Sequence, residues 1–186
     1  MNEGSDIAER EELHTRTIEM RGFRRADGLF EVEGRVIDTK PFDYRPRSGE
    51  YEVPKGQRIH DITLTLVLDE RLEVKDVRTH MRSTPYDICP AAGLAMRALI
   101  GLRIGPGWNS EARKRLLPAE RCTHLAELLG PMATTALQAL SVIRRDQPEP
   151  VNSAGRPLKI DSCFAYSAGR DLVRRRWPQF HEDGQG

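Results

Sequence analysis

The chain has 186 residues, enough for one domain whose core folds without disulfide or metal staples. Its 29 basic and 28 acidic side chains leave a net charge of +1, which excludes the basic surplus that a dedicated nucleic-acid binder needs. Cys89, Cys122 and Cys163 are too scattered for a CxxC pair, and neither a charged-then-apolar leader nor an 18-residue apolar run occurs, so the expectation is a cytoplasmic protein with reduced thiols and no membrane segment.

Residues 1–12 are polar and acidic and read as a mobile tail. A single α+β domain is expected over 13–180, with a polar end at 181–186. Residues 13–24 read as a first strand, and Asp27-Gly28 supplies a hairpin turn. Phe30, Val32, Gly34 and Val36 alternate with charged residues, the period of a half-buried strand that closes at Asp38-Thr39-Lys40-Pro41. Residues 41–56 carry prolines, glycines and charges without periodicity and read as a long loop. His60, Ile62, Leu64, Leu66 and Leu68 share one parity and form the clearest strand. A turn at Asp69-Glu70-Arg71 leads into a further strand through Met81.

Pro90 suits the first turn of a helix that runs to Ile100. Ser110 is placed to cap a short helix over 111–117. The sequence from Arg121 to Leu140 then repeats Leu125, Leu128, Leu129, Met132, Ala136, Leu137 and Leu140 at three- and four-residue steps, an amphipathic helix that Pro131 should bend or restart near Gly130. Residues 146–157 read as an exposed crossing loop, and 159–166 with 172–177 as a closing hairpin, which puts Arg174-Arg175-Arg176 in a strand. The order of strands, helices and strands predicts an antiparallel sheet, a meander plus a C-terminal hairpin, packed on one face by helices.

In such a meander Asp38 ends one strand and His60 opens the next, both with the parity of the core face, and the following strand is expected to return His80 to the same rim. The start of the long helix brings Cys122, His124 and Glu127, the densest group of reactive side chains in the chain. A histidine oriented by a carboxylate moves protons near neutral pH. The expected catalytic set is therefore His60 as base, Asp38 orienting it, Lys40 or His124 stabilising an oxyanion, and His80 and Glu127 as supporting acids. Tyr51, Tyr86 and Trp108 would wall the substrate, with Cys122 beside it.

Other chemistries fit less well. Zinc accepts Cys, His and carboxylate ligands, but the spacings among His60, His80, Cys122 and His124 match no compact structural site, so neither metal nor organic cofactor is expected. Cys122 near a helix start has a favoured thiolate, yet His124 two residues on points to a different helical face. The segment from Gly101 to Gly107 lacks the Lys-Ser/Thr of a P-loop.

The His60-Asp61 pair, the 101–107 segment, the stretch from Cys122 to Gln138, Asp161-Ser162-Cys163 and Arg176-Trp177-Pro178 together resemble a bacterial family known as a domain of unknown function. The resemblance spans roughly residues 13–177 and carries no settled catalytic residues. It implies an association with catabolism of plant-derived aromatic compounds. The expected activity is a cofactor-free carbon–carbon lyase acting on a small lignin-derived aromatic and releasing formaldehyde. A noncatalytic metabolite-binding or protein-interaction module and a zinc-dependent hydrolase are the alternatives, and an exposed sheet edge suggests a homodimer.

Overall fold

A computed structural model describes residues 8–183. Four strands, β1 (Thr15–Arg24), β2 (Phe30–Thr39), β3 (Arg58–Leu68) and β4 (Val74–Ser83), form one antiparallel sheet in the order β1-β2-β3-β4. A 3-10 helix over Cys89–Leu99 follows, then α1 (Trp108–Arg115), α2 (Thr123–Glu127) and α3 (Leu129–Ile143). The protein is of the α+β class, as its alternation of periods predicts. Between Val142 and Ile143 it divides into two compact units, where the sequence suggests one domain over 13–180.

In the first unit, the alternation in β2 is complete: Phe30, Val32, Gly34, Val36 and Asp38 are buried and the residues between them are not. Their cross-strand partners are Leu68, Leu66, Leu64, Ile62 and His60, so these five pairs define the covered face. Each fully buried Leu or Ile there contributes about 1.5–3 kcal/mol of transfer free energy. Two glycines let α3 lie close to the sheet. A Cβ at Gly22 would stand 2.8 Å from that of Ala139, and one at Gly34 would stand 3.0 Å from Met132 Cγ.

The long amphipathic stretch is broken at Leu128, which puts Pro131 in the first turn of α3, where its missing N–H costs nothing. Thr123–Ile143 is the one described stretch long and apolar enough to cross a membrane by length and composition. Leu125, Leu128, Leu129, Met132, Ala136 and Leu140 in it are buried.

The second unit departs from expectation. In place of a closing hairpin it holds a 3-10 turn at Phe164–Tyr166, a short helix α4 (Asp171–Arg176) and a 3-10 turn at Pro178–Phe180. Val173 and Trp177 recur at four residues rather than two, and with Phe180 they pack on Ile160 and Ala168. A helical period therefore organises this segment. Arg174, Arg175 and Arg176 fill the last turn of α4, where cations complement the helix dipole, and are not in a strand. Asp161, at φ 65°, accepts the Ala168 N–H at 2.9 Å and closes the turn before α4.

Residues 8–12 are exposed and have no secondary structure. The remainder of the expected tail, 1–7, and the last part of the polar end, 184–186, lie outside the described residues. Residues 181–183 carry no helix or strand, although His181 Nδ1 lies 2.8 Å from the Ala168 carbonyl.

Candidate functional site

Asp38 is the centre of the site. The hairpin around Asp27-Gly28 sets Arg16 of β1 opposite it, and the β2–β3 ladder sets His60 opposite it on the other side. All three point to the face that the helices cover. Asp38 is 1% exposed, and its two oxygens are fully engaged. Arg16 donates from Nε to Oδ1 at 2.8 Å and from Nη2 to Oδ2 at 2.9 Å, a bidentate clamp. His14 Nε2 lies 3.0 Å from Oδ1, and His60 Nδ1 lies 2.9 Å from Oδ2.

These distances fix the imidazole tautomers. Burial opposes ionisation of Asp38, but the hydrogen bonds from Arg16, His14 and His60 and the Arg16 charge outweigh it and hold the carboxyl at about 2. An ionised carboxylate can only accept, so His60 carries its proton on Nδ1 and leaves the Nε2 lone pair free. Burial, and then the neighbouring His124, push the His60 pKa below its ordinary 6.5. His60 is therefore neutral at pH 7 and able to accept a proton.

His124 enters from the first turns of α2. Its ring stacks on that of His60 at 3.9 Å between centroids with 36° between planes, and its Nε2 lies 3.9 Å from Asp38 Oδ2. Burial, then the charge of Arg16, also lowers its pKa. Cys122 precedes α2 as its N-terminal cap residue, with Sγ 4.0 Å from His124 Nδ1. Glu127, at the end of α2, accepts Arg16 Nη1 at 2.7 Å. Its charge also acts directly on His124, raising that imidazole's pKa against the larger lowering by burial.

The structure thus gathers Asp38, His60, His124, Cys122 and Glu127, and separates the rest of the expected set. His80 pairs with Thr63 and points to the opposite face of the sheet, exposed. The β3–β4 register shifts at two places, so a parity count along one strand does not carry over to the next. Lys40 Nζ donates to the Leu13 carbonyl at 3.3 Å and sits 4.8 Å from the Tyr44 ring centroid rather than turning to the imidazoles. Tyr51 makes edge contacts with Tyr44 and Tyr86 at 6.2 and 5.5 Å, within and beside the 41–56 loop.

Trp108 is no rim residue: it is 4% exposed and donates from Nε1 to the Leu129 carbonyl at 3.1 Å, tying α1 to the start of α3. Its size and its single donor suit a buried hinge point between helices.

His14 and Arg16 are the functional-site residues that the sequence reading passes over. The signal was available in the turn. A hairpin centred on Asp27 pairs positions that sum to 54, which sets Arg16 against Asp38.

A cavity of about 310 Å³ lies between α1, α2 and the start of α3. Its floor is Ala112, Leu116 and Leu129, and Glu127 is the one member of the polar cluster that lines it. Neither imidazole reaches it.

Asp38, His60 and His124 offer ligand atoms of the types that zinc accepts, all within 4.8 Å of one another. Zinc–nitrogen bonds of about 2.0–2.1 Å require a tighter set than this. The Arg16 guanidinium already neutralises the carboxylate from both oxygens.

The class this defines is an α+β protein with a helix-covered meander whose rim holds two stacked imidazoles, one of them bonded to a buried carboxylate. The chain belongs to the family described as "Protein of unknown function (DUF2889)", which matches residues 14–138 and so contains the whole polar cluster. No curated protein and no solved structure matches the chain.

Proposed function

We propose that the protein is a cofactor-free acid/base enzyme in which His60 Nε2 is the base, Asp38 fixes its tautomer and His124 returns the proton. The observation that supports this is the 2.9 Å bond from His60 Nδ1 to a carboxylate held at about 2. Such a pair keeps a lone pair available on a buried, neutral ring.

The reaction we favour is carbon–carbon cleavage of a small lignin-derived aromatic, R–CH2OH, to R–H and formaldehyde. The hydroxyl proton passes to His60, the carbon–carbon electron pair stays with R, and R takes a proton from the stacked pair. A phenolate or carbonyl in R must hold that electron pair, and His124, stacked on His60, is the group placed to donate to it.

The test is formaldehyde release from a panel of hydroxymethyl-bearing phenols by the wild type and by His60→Gln. Turnover that falls about 10²-fold or more in a folded variant supports the reading. Ligand-induced thermal shifts without any product would instead make this a metabolite-binding module, in which the same site holds a compound for a partner.

A second reading rests on the three converging ligand atoms of Asp38, His60 and His124. A divalent ion there would make the site a metal-dependent hydrolase of the zinc type. Stoichiometric metal in protein purified without chelator, lost in His124→Ala, would favour it over the first.

A further inference from the structure

The sheet has two edges, and they are finished differently. At β4, the backbone of Val74 is bonded to Leu102 and Gly101 at 2.8 Å each, and Gly93 of the 3-10 helix sits over Thr79. Along β1 no backbone hydrogen bond other than those to β2 occurs among the described residues, and nine of its ten residues are exposed, Met20 excepted. Ile18 is 45% and Phe23 37% exposed on this strand. An unpaired ten-residue edge with no proline is a template for another strand.

We propose that β1 pairs antiparallel with β1 of a second copy of this chain, centred on Met20, to make one continuous eight-stranded sheet. The charge pattern selects both the partner and the register. About a two-fold axis through Met20, Glu19 stands opposite Arg21 of the partner subunit and Arg21 opposite the partner's Glu19, all on the face away from the helices. Centring one residue to either side sets Glu19 against Glu19 or Arg21 against Arg21.

On the helix-covered face the same register sets Met20 against its own copy and brings Ile18 opposite the partner's Gly22, beside the α3 residues Thr135 and Ala139 that lie over that glycine. At each end Arg16 stands opposite the partner's Arg24. Glu127, already on Arg16 at 2.7 Å, offsets that repulsion. Within one chain Arg21 and Glu19 are in loose contact, at 4.0 Å and both more than half exposed, and Arg21 also lies over the exposed Phe23 ring at 4.9 Å, so both charges stay at the surface.

Sedimentation velocity of the full chain over a concentration series tests this, with Glu19→Arg, Arg21→Glu and the double exchange. The wild type should dimerise. Each single reversal should weaken the dimer about tenfold or more, because two attractive pairs become repulsive. The double variant, which restores opposite charges in exchanged positions, should return most of the affinity. Circular dichroism checks that the exposed substitutions leave the fold intact. A monomer at every concentration, or a dimer indifferent to both reversals, overturns the proposal. Neither outcome touches the chemistry assigned to His60.

Discussion

Asp38 and Asp61 are two carboxylates at the same end of the sheet, each 1% exposed, on opposite faces. Asp61 accepts a bidentate pair from Arg35 at 2.7 and 2.8 Å and another bond from Arg58 at 2.6 Å, and Arg82 stands 3.9 Å away. All its partners stay charged at any working pH. Asp38 has one arginine and three histidines around it, two bonded and one at 3.9 Å. Both carboxylates lie below their ordinary pKa, Asp61 chiefly through its bond from Arg35 and against burial. What differs is the partner. Arginines around a carboxylate make a fastening, whereas imidazoles around one make a set of groups able to exchange protons.

Breaking the first cluster should have the largest effect. Asp38→Asn leaves Arg16 facing a neutral amide and removes the acceptor that fixes His60. We expect activity to fall about 10²-fold or more. Stability should fall about 2–3 kcal/mol, below the range for fully sealed pairs because Arg16 is a third exposed. Urea unfolding and turnover measure the two losses. Asp61→Asn should cost about 1–2 kcal/mol in the same unfolding experiment and leave turnover near the wild-type value. Equal loss of activity in the two variants would erase the distinction drawn between the clusters.

pH separates the faces further. His60 and His124 have folded pKa values below 6.5, so at falling pH the unfolded chain takes up protons first, and stability declines as pH drops below about 6.5. Asp38 adds a second decline as pH falls from its ordinary 3.8 through about 2. Turnover should show an acid limb below 6.5 for loss of neutral His60. The unfolding profile of His60→Gln should lose part of the upper decline. An unchanged profile would mean that this imidazole titrates normally.

The smallest effect concerns a residue outside both clusters. Trp108→Phe removes the indole donor to the Leu129 carbonyl and leaves that acceptor buried, at about 1 kcal/mol. A thermal melt reads it, and turnover should hold if Trp108 serves the core rather than the substrate.

Much of the first unit was legible. The period-two alternation of β2 and β3 gave the covered face, and with it the shared face of Asp38 and His60, because each carries the parity of the buried residues in its own strand and stands at the strand end that the long 40–57 connection joins. Arg16 was within reach of the same reasoning through the turn. His80 was not, since bulges in the β3–β4 ladder reset the parity. The second unit misled for another reason: its few apolar residues fit either period locally, and only the shared core of Ile160, Ala168, Val173, Trp177 and Phe180 selects the helix.

The amino-acid order by itself determined the four strands of the sheet, the amphipathic stretch from Leu125 to Leu140 and the shared face of Asp38 and His60, because these depend on periodicity within each segment. Tertiary structure decided that His124 stacks on His60 and that Trp108 is sealed away. Those outcomes depend on how α1, α2 and α3 seat on the sheet, which packing volumes such as Gly22 under Ala139 set and no local pattern encodes.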